Sequence, residues 1–291
     1  PGRAPAPECR PATPPIPAPT IRPVLPPINP PSRPPTTTPP TPPIAVRETF
    51  FCPVFGSVTQ PLANSEIAAR TGLPRPTISR LTYTLTRLGY LEHSTRLEKY
   101  ALGAGVLALG HAYLAGEDVR GIARPLMQAL ADEVNATVLL GALDQTQMVL
   151  VEVCHGSEAF HLKRDVGQRV PHGATALGRA YLMGLSGGRL EEAIQNLRAH
   201  TPEADHTAFN AGIRQAMADF KEFGLVFSLG DWNREVYAAA VPLALNGGER
   251  VMAISVSGPI YTMTRERLIN EVGPRLRAAR DSIQRRLLSQ A

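Results

Sequence analysis

The chain has 291 residues, a formal net charge of +5 and 29 prolines. This length leaves room for two domains and a tail, and the three scattered cysteines, Cys9, Cys52 and Cys154, argue against a disulfide framework and for a reducing compartment. No apolar run approaches the ~20 residues that cross a bilayer, and the sequence shows no signal-peptide core. We therefore expect a cytoplasmic protein without a membrane segment.

Residues 1–45 are predicted to be a disordered tail, because most of the prolines lie there and prevent both helices and sheet ladders. Two interpretations are open for this tail, a ligand for a proline-binding module and an unselected leader, and the second is preferred. The following residues are apolar, but Pro53, Gly56 and Pro61 interrupt any helical period.

A helix-turn-helix is predicted over Asn64–Tyr90. Ser65 is a good N-cap for a short first helix. Gly72 and Pro74 end this helix, because glycine accepts the left-handed backbone and proline cannot continue the ladder. The second helix begins near Arg75, and its apolar residues recur three and four apart, which indicates one buried stripe. The stripe comprises Ile78, Leu81, Leu85 and Leu88.

The outward face of the second helix is basic and carries no acid. Its side chains are of the kinds that pair with base edges or phosphates. The predicted DNA contacts are Arg75, Thr77, Ser79, Arg80 and Tyr83. Arg80 lies one turn into the helix and is the expected guanine contact.

A small β-wing is predicted over Tyr90–Leu102, since two apolar–polar runs flank a polar turn near Ser94–Arg96. Arg96 and Lys99 on the wing are expected to contact phosphates. A plain αα-hairpin with a solvated basic face is the alternative interpretation. The short glycine turn, the basic face and the wing together favour a winged DNA-binding domain over residues 46–102.

Residues 103–118 are predicted to be a linker helix that is too apolar to lie bare and therefore packs on a neighbour or a second subunit. Residues 119–291 combine strand hairpins with helices, which favours an α+β domain with helices covering an antiparallel sheet. Strands are expected near Thr137–Leu143, Met148–Cys154, Ala159–Lys163, Leu225–Ser228, Val236–Leu243 and Arg250–Ser257. Helices are expected from Val119 and over Thr175–Leu185, Arg189–His200, Thr207–Phe223 and Thr264–Leu288. In the helix Thr207–Phe223, the side chains of Phe209, Ile213, Met217 and Phe220 are expected to face inward. In the last helix, Pro274 should kink or split the helix.

Several segments resemble the IclR family of bacterial transcriptional regulators. They are S-E-I-A-A-R-T-G-L-P-R-P-T-I-S-R-L (65–81), V-G-Q-R-V-P-H-G-A-T-A-L-G-R-A (166–180), G-D-W-N-R-E-V-Y-A-A-A-V-P-L (230–243) and A-I-S-V-S-G-P (253–259). The resemblance implies a winged helix-turn-helix joined to a GAF-like effector domain. It also implies dimers or pairs of dimers on palindromic double-stranded operators, with carboxylic or aromatic acids as effectors and no cofactor.

The family's effector-pocket residues carry over to Ala176, Gly178, Ser255 and Ser257. The residue types agree with this role. N–H groups in the first turn of a helix starting near Thr175 would face an anion, and two serines two apart on a strand share one side. Asp231 and Trp232 are expected at the mouth of the pocket.

The proline-rich tail and the lack of a recognisable first helix depart from the family pattern. A misread start or a shifted reading frame upstream of about Ser57 would explain both departures. Two other functions stay open, a ligand-binding protein that no longer binds DNA and an enzyme acting on a small acid. No catalytic motif is found, however, and Asp231 and Glu235 are interpreted as solvated. The residues Cys154, His155, His161 and His172 fit no closed zinc pattern, so no metal site is expected.

Overall fold

The computed structural model describes residue 55 and residues 60–116, 118–156 and 164–289. The predicted tail, Cys9, Cys52, His161 and the predicted strand Ala159–Lys163 lie outside the described residues. Of the helices described, none is long and apolar enough to cross a membrane.

The predicted helix-turn-helix is formed by α1 (Asn64–Thr71) and α2 (Arg75–Arg87). Gly72 follows α1 with φ 68°, the left-handed conformation expected at that position. The predicted N-cap was wrong, because α1 begins before Ser65 and its cap position is Ala63. The Glu66 carboxylate accepts a 2.7 Å hydrogen bond from the Ala63 backbone N–H and so supplies part of the cap.

A small core holds these helices to the wing. Its buried members are Phe55, Leu62, Ile67, Ile78 and Leu91. The predicted stripe of α2 needs one correction: Leu88 is 60% exposed, because it lies at the C-cap beyond the turns that pack on α1. Thr82 is buried instead, with its hydroxyl oxygen 3.0 Å from the Ile78 carbonyl oxygen and 3.2 Å from Asn64 Oδ1.

The predicted wing consists of β1 (Leu91–Ser94) and β2 (Lys99–Leu102), which pair antiparallel with Ser94 opposite Lys99. The backbones of Leu62 and Tyr100 exchange two hydrogen bonds of 2.8 Å. These bonds tie the wing to the segment that precedes α1.

Two helices follow the wing, α3 (Gly105–Ala115) and α4 (Asp118–Val134). None of the α3 side chains is buried, and Leu107 is 77% exposed, but Leu114 near its end is partly buried and packs against the core that follows. By contrast, α4 buries one side, which includes Met127 and Leu130, against the sheet that comes next. The linker helix therefore packs on a neighbouring element of the described chain only near Leu114, and packing of its exposed side on a second subunit stays a prediction.

The rest of the described chain is α+β, as predicted, with helices covering an antiparallel sheet. The strands are β3 (Thr137–Asp144), β4 (Gln147–His155), β5 (Arg169–Pro171), β6 (Val226–Leu229), β7 (Val236–Leu245) and β8 (Arg250–Pro259). They lie in the order β5-β4-β3-β8-β7-β6. The helices are α5 (Ala176–Met183), α6 (Gly188–Ala199), α7 (His206–Phe223) and α8 (Gly273–Leu288). This arrangement is consistent with a GAF-like fold.

The sheet separates two cores, because side chains alternate between its faces along each strand. On β8, Ile254 packs in the core beneath α4 and α8. The next residue, Ser255, lies on the opposite face together with the start of α5. On α7 the predicted stripe is corrected, since Met217 is 39% exposed and Ala216 is buried in its place.

The last helix was predicted to kink or split at Pro274, but it continues without a break and contains a π-helical turn just before the proline. A single helical turn, Arg265–Arg267, leads into a π-helical turn, Leu268–Val272, and α8 then begins with the proline in its first turn. Proline has no N–H for the preceding turn and its ring clashes with a regular helix, so the wider turn accommodates it.

Candidate DNA interface and effector site

The outward face of α2 is open to solvent. Arg75, Ser79, Arg80 and Tyr83 are exposed, and Thr77 is half-buried. No acidic residue lies on this helix, so its arginines are free of neutralising partners from their own element. A convex, basic helix of this length can enter the major groove of a duplex.

The two predicted wing contacts differ in their surroundings. Arg96 is exposed in the turn between β1 and β2. Lys99 Nζ lies 3.2 Å from Glu66 Oε2, which ties the wing to α1. The Ala63 N–H and Lys99 together hold the pKa of the Glu66 carboxyl below its usual value. Lys99 therefore already has an anionic partner in the protein, whereas the Arg96 guanidinium projects from the tip of the wing.

A small cavity lies between the start of α5 and β8, and we call it the serine cavity. Its volume is about 50 Å³. Four of the predicted effector residues line it: Thr175, Ala176, Ser255 and Ser257. Trp232, expected at the mouth of the pocket, lines it as well. Other lining residues were not predicted, and they include Arg164, Ser228, Asn233 and the apolar Leu139, Val170 and Leu177.

Local structure explains how the lining residues are held. Thr175 is the N-cap of α5: its Oγ1 accepts a 3.2 Å hydrogen bond from the Gly178 N–H and donates a 2.6 Å bond to the Pro171 carbonyl. Ser255 and Ser257 are buried on one face of β8, as their spacing predicted. Their hydroxyls and the first turn of α5 thus border the same small space.

Gly178 and Asp231, the other two predicted effector residues, do not line the serine cavity. A Cβ built on Gly178 would lie 2.0 Å from the His172 carbonyl oxygen, so the glycine permits close packing of α5 on the preceding loop. Asp231 Oδ2 lies 2.5 Å from Arg179 Nη1 and faces a different cavity. The positions of Gly178 and Asp231 depend on how loops and helices pack on each other. Sequence spacing does not predict either position.

Arg164 and Trp232 meet at the serine cavity, with the guanidinium carbon 4.5 Å from the centre of the indole ring. Such stacking of a cation on an aromatic face is attractive. Burial lowers the pKa of the Arg164 guanidinium. The pair brings one positive charge to a cavity whose other polar groups are hydroxyls and an amide. In the sequence, only the basic character of Arg164 could have drawn attention to it.

Of the residues considered for a metal site, Cys154, His155 and His172 lie within the described ranges. Within the described ranges no group of three histidine, cysteine or acidic side chains is placed to hold a metal ion. Cys154 is buried, and burial raises the pKa of its thiol to about 11. This thiol is therefore protonated at neutral pH and packs as a small apolar group.

His172 is the one histidine with a strongly shifted pKa in the described chain. It is 2% exposed, neither ring nitrogen has a hydrogen-bond partner among the described residues, and burial lowers its pKa from 6.5 to about 3. Its ring packs edge-on against Tyr181 with the centroids 5.5 Å apart. The imidazole is therefore neutral in the folded protein at neutral pH.

We expect a specific acid sensitivity from His172. The unfolded chain takes up a proton near pH 6.5 while the folded chain does not until about pH 3, so the free energy of unfolding falls as the pH falls through this window. The slope approaches about 1.4 kcal/mol per pH unit. Urea unfolding between about pH 7 and about pH 5 should show a smaller loss, by about 2 kcal/mol, in His172→Leu than in the wild type. The exposed His111→Gln serves as control, and equal losses in wild type and His172→Leu would contradict the expectation.

The chain matches two protein-family models and is similar to known regulators. A family model described as the C-terminal domain of the bacterial transcriptional regulator IclR matches residues 111–285, and the IclR helix-turn-helix domain matches residues 54–94. The chain is 33% identical to the HTH-type transcriptional regulator TsaQ1/TsaQ2 of Comamonas testosteroni, over 77% of this chain and 81% of that protein.

The chain is also similar to solved structures of IclR-type proteins. An IclR family transcriptional regulator from Brucella abortus is 35% identical, with a TM-score of 0.76 over 83% of this chain and 90% of that chain. An IclR homolog from Microbacterium hydrocarbonoxydans, complexed with 4-hydroxybenzoate, is 23% identical and has a TM-score of 0.61 over 84% and 97% of the respective chains. The named relatives are transcriptional regulators and not enzymes.

Proposed function

Since this chain belongs to the IclR family of bacterial transcriptional regulators, we propose that it binds an operator through α2 and the wing and that a small organic acid in the serine cavity alters this binding. The family assigns a DNA-binding helix-turn-helix and a C-terminal effector domain to the two parts of the chain. The contact residues and the class of effector are the proposal.

Operator binding is supported by the outward face of α2. Its exposed side chains combine arginine, which pairs with guanine edges, with serine and tyrosine groups that reach phosphates or bases. We propose Arg75, Thr77, Ser79, Arg80, Tyr83 and Arg96 as the DNA contacts. Because Lys99 is held by Glu66, its part is to position the wing, and any phosphate contact it makes would be shared with that carboxylate.

An acidic effector is supported by the polarity of the serine cavity, and this is the observation that carries the proposal. Arg164 supplies a positive charge, the serine hydroxyls supply donors, and the N-terminus of α5 adds its positive end. The apolar walls from Leu139, Val170 and Leu177 favour a hydrophobic or aromatic body behind the acid group. A neutral or cationic ligand would leave the charge of Arg164 uncompensated.

The serine cavity must widen to admit such a ligand. Its volume of about 50 Å³ is smaller than the ~150 Å³ cavity that takes up benzene. The stacked Arg164 and Trp232 border this space, so we propose that an entering acid pairs with Arg164 and displaces the indole. Trp232 is the single tryptophan of the chain and reports the event by fluorescence.

A path from the cavity to the DNA-binding part runs through the sheet. The carboxylate of Glu152 on β4 is buried and lies 2.8 Å from Arg120 Nε and 2.5 Å from Arg124 Nη1, both on α4. Buried, doubly paired carboxylates of this kind resist separation. We propose that a shift of β4 is passed to α4 through this ion-pair cluster.

Replacing Arg164 with glutamine is expected to weaken acid binding by about 1.5–3 kcal/mol, because a charge-assisted hydrogen bond is lost. The probe is 4-hydroxybenzoate, an acid that the same fold accommodates in the Microbacterium protein. Binding is followed by Trp232 fluorescence, and operator affinity by gel shift with the upstream intergenic region, with and without the acid. The exposed Arg214→Gln is the control.

The outcomes distinguish the interpretations. An acid-dependent gel shift that Arg164→Gln removes supports the proposal. Acid binding without any DNA shift would favour a ligand-binding protein that no longer binds DNA. Conversion of the acid to a product would favour an enzyme.

Self-association is proposed as well, on the strength of α3. Its uncovered apolar side chains, which include Leu107, make a surface that a second copy of this helix can bury. Leu107→Glu is expected to raise the dissociation constant of the dimer by at least about tenfold, because a charge enters an apolar contact. Sedimentation velocity measures this change, and Leu288→Glu, at a comparably exposed leucine of α8, is the control. An unchanged sedimentation coefficient in Leu107→Glu would place the contact elsewhere.

A further inference from the structure

A second cavity of about 780 Å³ shares no lining residue with the serine cavity. We call it the Arg179 cavity. It is bordered by the loop before α5, by α7 and by Asp231 in the loop after β6. Its size falls within the range of roughly 300–1,000 Å³ typical of small-molecule sites. Nothing in the acid-binding role proposed above uses this space.

Arg179 provides the polar end of the cavity. Its side chain is buried, and among the described residues its hydrogen bonds run from Nε to the Gly173 carbonyl at 3.0 Å and from Nη1 to the Phe227 carbonyl at 3.0 Å and to Asp231 at 2.5 Å. The remaining nitrogen, Nη2, lies beside Gly212, where an added Cβ would approach it to 2.4 Å. The glycine therefore leaves this N–H at the cavity wall with hydrogen-bonding capacity to spare.

Aromatic and aliphatic groups form the rest of the wall. Phe209 and Leu197 are buried and line the cavity. Gly173 brings the backbone against the Phe209 ring, since an added Cβ would lie 2.6 Å from that ring. The cavity that holds the Arg179 guanidinium thus also has an apolar wall with an aromatic member, which suits a ligand with an apolar ring.

The charges around the cavity select against an acid. The positive charge of Arg179 is already matched by Asp231, Asp205 adds a second carboxylate, and the adjoining His172 is neutral. A carboxylate ligand would meet repulsion from both acids. A hydroxyl group suits the site, because it can accept a hydrogen bond from Arg179 Nη2 and donate one to the Asp231 carboxylate.

We propose that the Arg179 cavity is a second ligand site, which takes a small uncharged phenol or aromatic alcohol. The ring stacks on the wall formed by Phe209, and the hydroxyl bridges Arg179 and Asp231. This site is separate from the acid-binding serine cavity and stands whether or not that cavity binds an effector.

The test uses 4-methylphenol as the probe and isothermal titration calorimetry on the full chain. Saturable binding at one site per chain is expected. Ala211→Phe places a ring in the cavity from an exposed position of α7 and should weaken binding by about tenfold or more. Ala218→Phe makes the same change at an exposed position of α7 outside the cavity lining and should leave binding within about twofold.

Two further variants complete the design. Ala208→Phe fills the same cavity from the first turn of α7 and repeats the test if Ala211→Phe fails to fold, as judged by its unfolding midpoint. Ser255→Ala alters the serine cavity and should leave 4-methylphenol binding unchanged. Absence of saturable binding, equal binding in wild type and both cavity-filling variants, or loss of binding in Ser255→Ala would each overturn the proposal.

Discussion

Arg80→Ala is expected to weaken operator binding by about 1–3 kcal/mol and to relax base preference at one position of each half-site. The guanidinium is exposed on the outward face of α2, and no acid on that helix competes for it. Two N–H groups of the guanidinium can pair with O6 and N7 of one guanine, and this pairing makes the binding free energy depend on the base at that position. A lysine at this position should restore part of the affinity but not the base preference, since it acts as a point charge.

Fluorescence anisotropy on the operator and on a random duplex of equal length, across a range of salt concentrations, measures this effect. Arg214→Ala, at an exposed position of α7, removes the same charge far along the chain and controls for a change in net charge. Equal losses on operator and random DNA, with a shallower salt dependence, would show that Arg80 contacts only phosphate.

Gly178→Ala is expected to destabilise the sheet domain by at least about 3 kcal/mol. The added methyl group would meet backbone atoms of His172, the carbonyl oxygen at 2.0 Å and Cα at 2.6 Å, and neither can rotate away as a side chain could. Because this loop also carries Thr175 at the start of α5, separation of the two segments would open the serine cavity as well. Acid binding should therefore be lost together with the fold and not selectively.

Urea unfolding followed by circular dichroism gives the midpoint for this comparison. Gly121→Ala on α4 is the matched control, because a Cβ there meets nothing within 4 Å. It should raise stability by up to about 1 kcal/mol through helix propensity alone. If Gly178→Ala kept the wild-type unfolding midpoint but bound the acid more weakly, the glycine would instead belong to the ligand site.

Much of the fold follows from local patterns. The three-and-four spacing around Ile78, the glycine after α1 and the alternation on β8 each act over a few residues, so the helix-turn-helix and five of the six described sheet strands could be predicted from such patterns. The short strand β5 was expected to be a loop. Errors occurred where a pattern ran past the end of its element, as at Leu88, or where a polar residue found a local partner, as at Thr82.

The candidate site was predictable only in part. Ser255 and Ser257 share a face because strands alternate, and Thr175 caps a helix because of its hydroxyl, so both features could be read from short stretches. Arg164 reaches the same cavity from a distant part of the chain, and its approach to Trp232 depends on how two loops pack on the sheet. No periodicity carries that information.

By itself, the sequence determined most of the elements, the basic face of α2 and the family, because propensity, amphipathic spacing and hydroxyl placement are properties of neighbouring residues. Only the tertiary structure decided which side chains share a cavity, that Gly178 serves packing, that Asp231 pairs with Arg179, and that Leu107 on α3 stays exposed. These outcomes depend on contacts between segments far apart in the chain, where shape, burial and charge are set jointly by several elements.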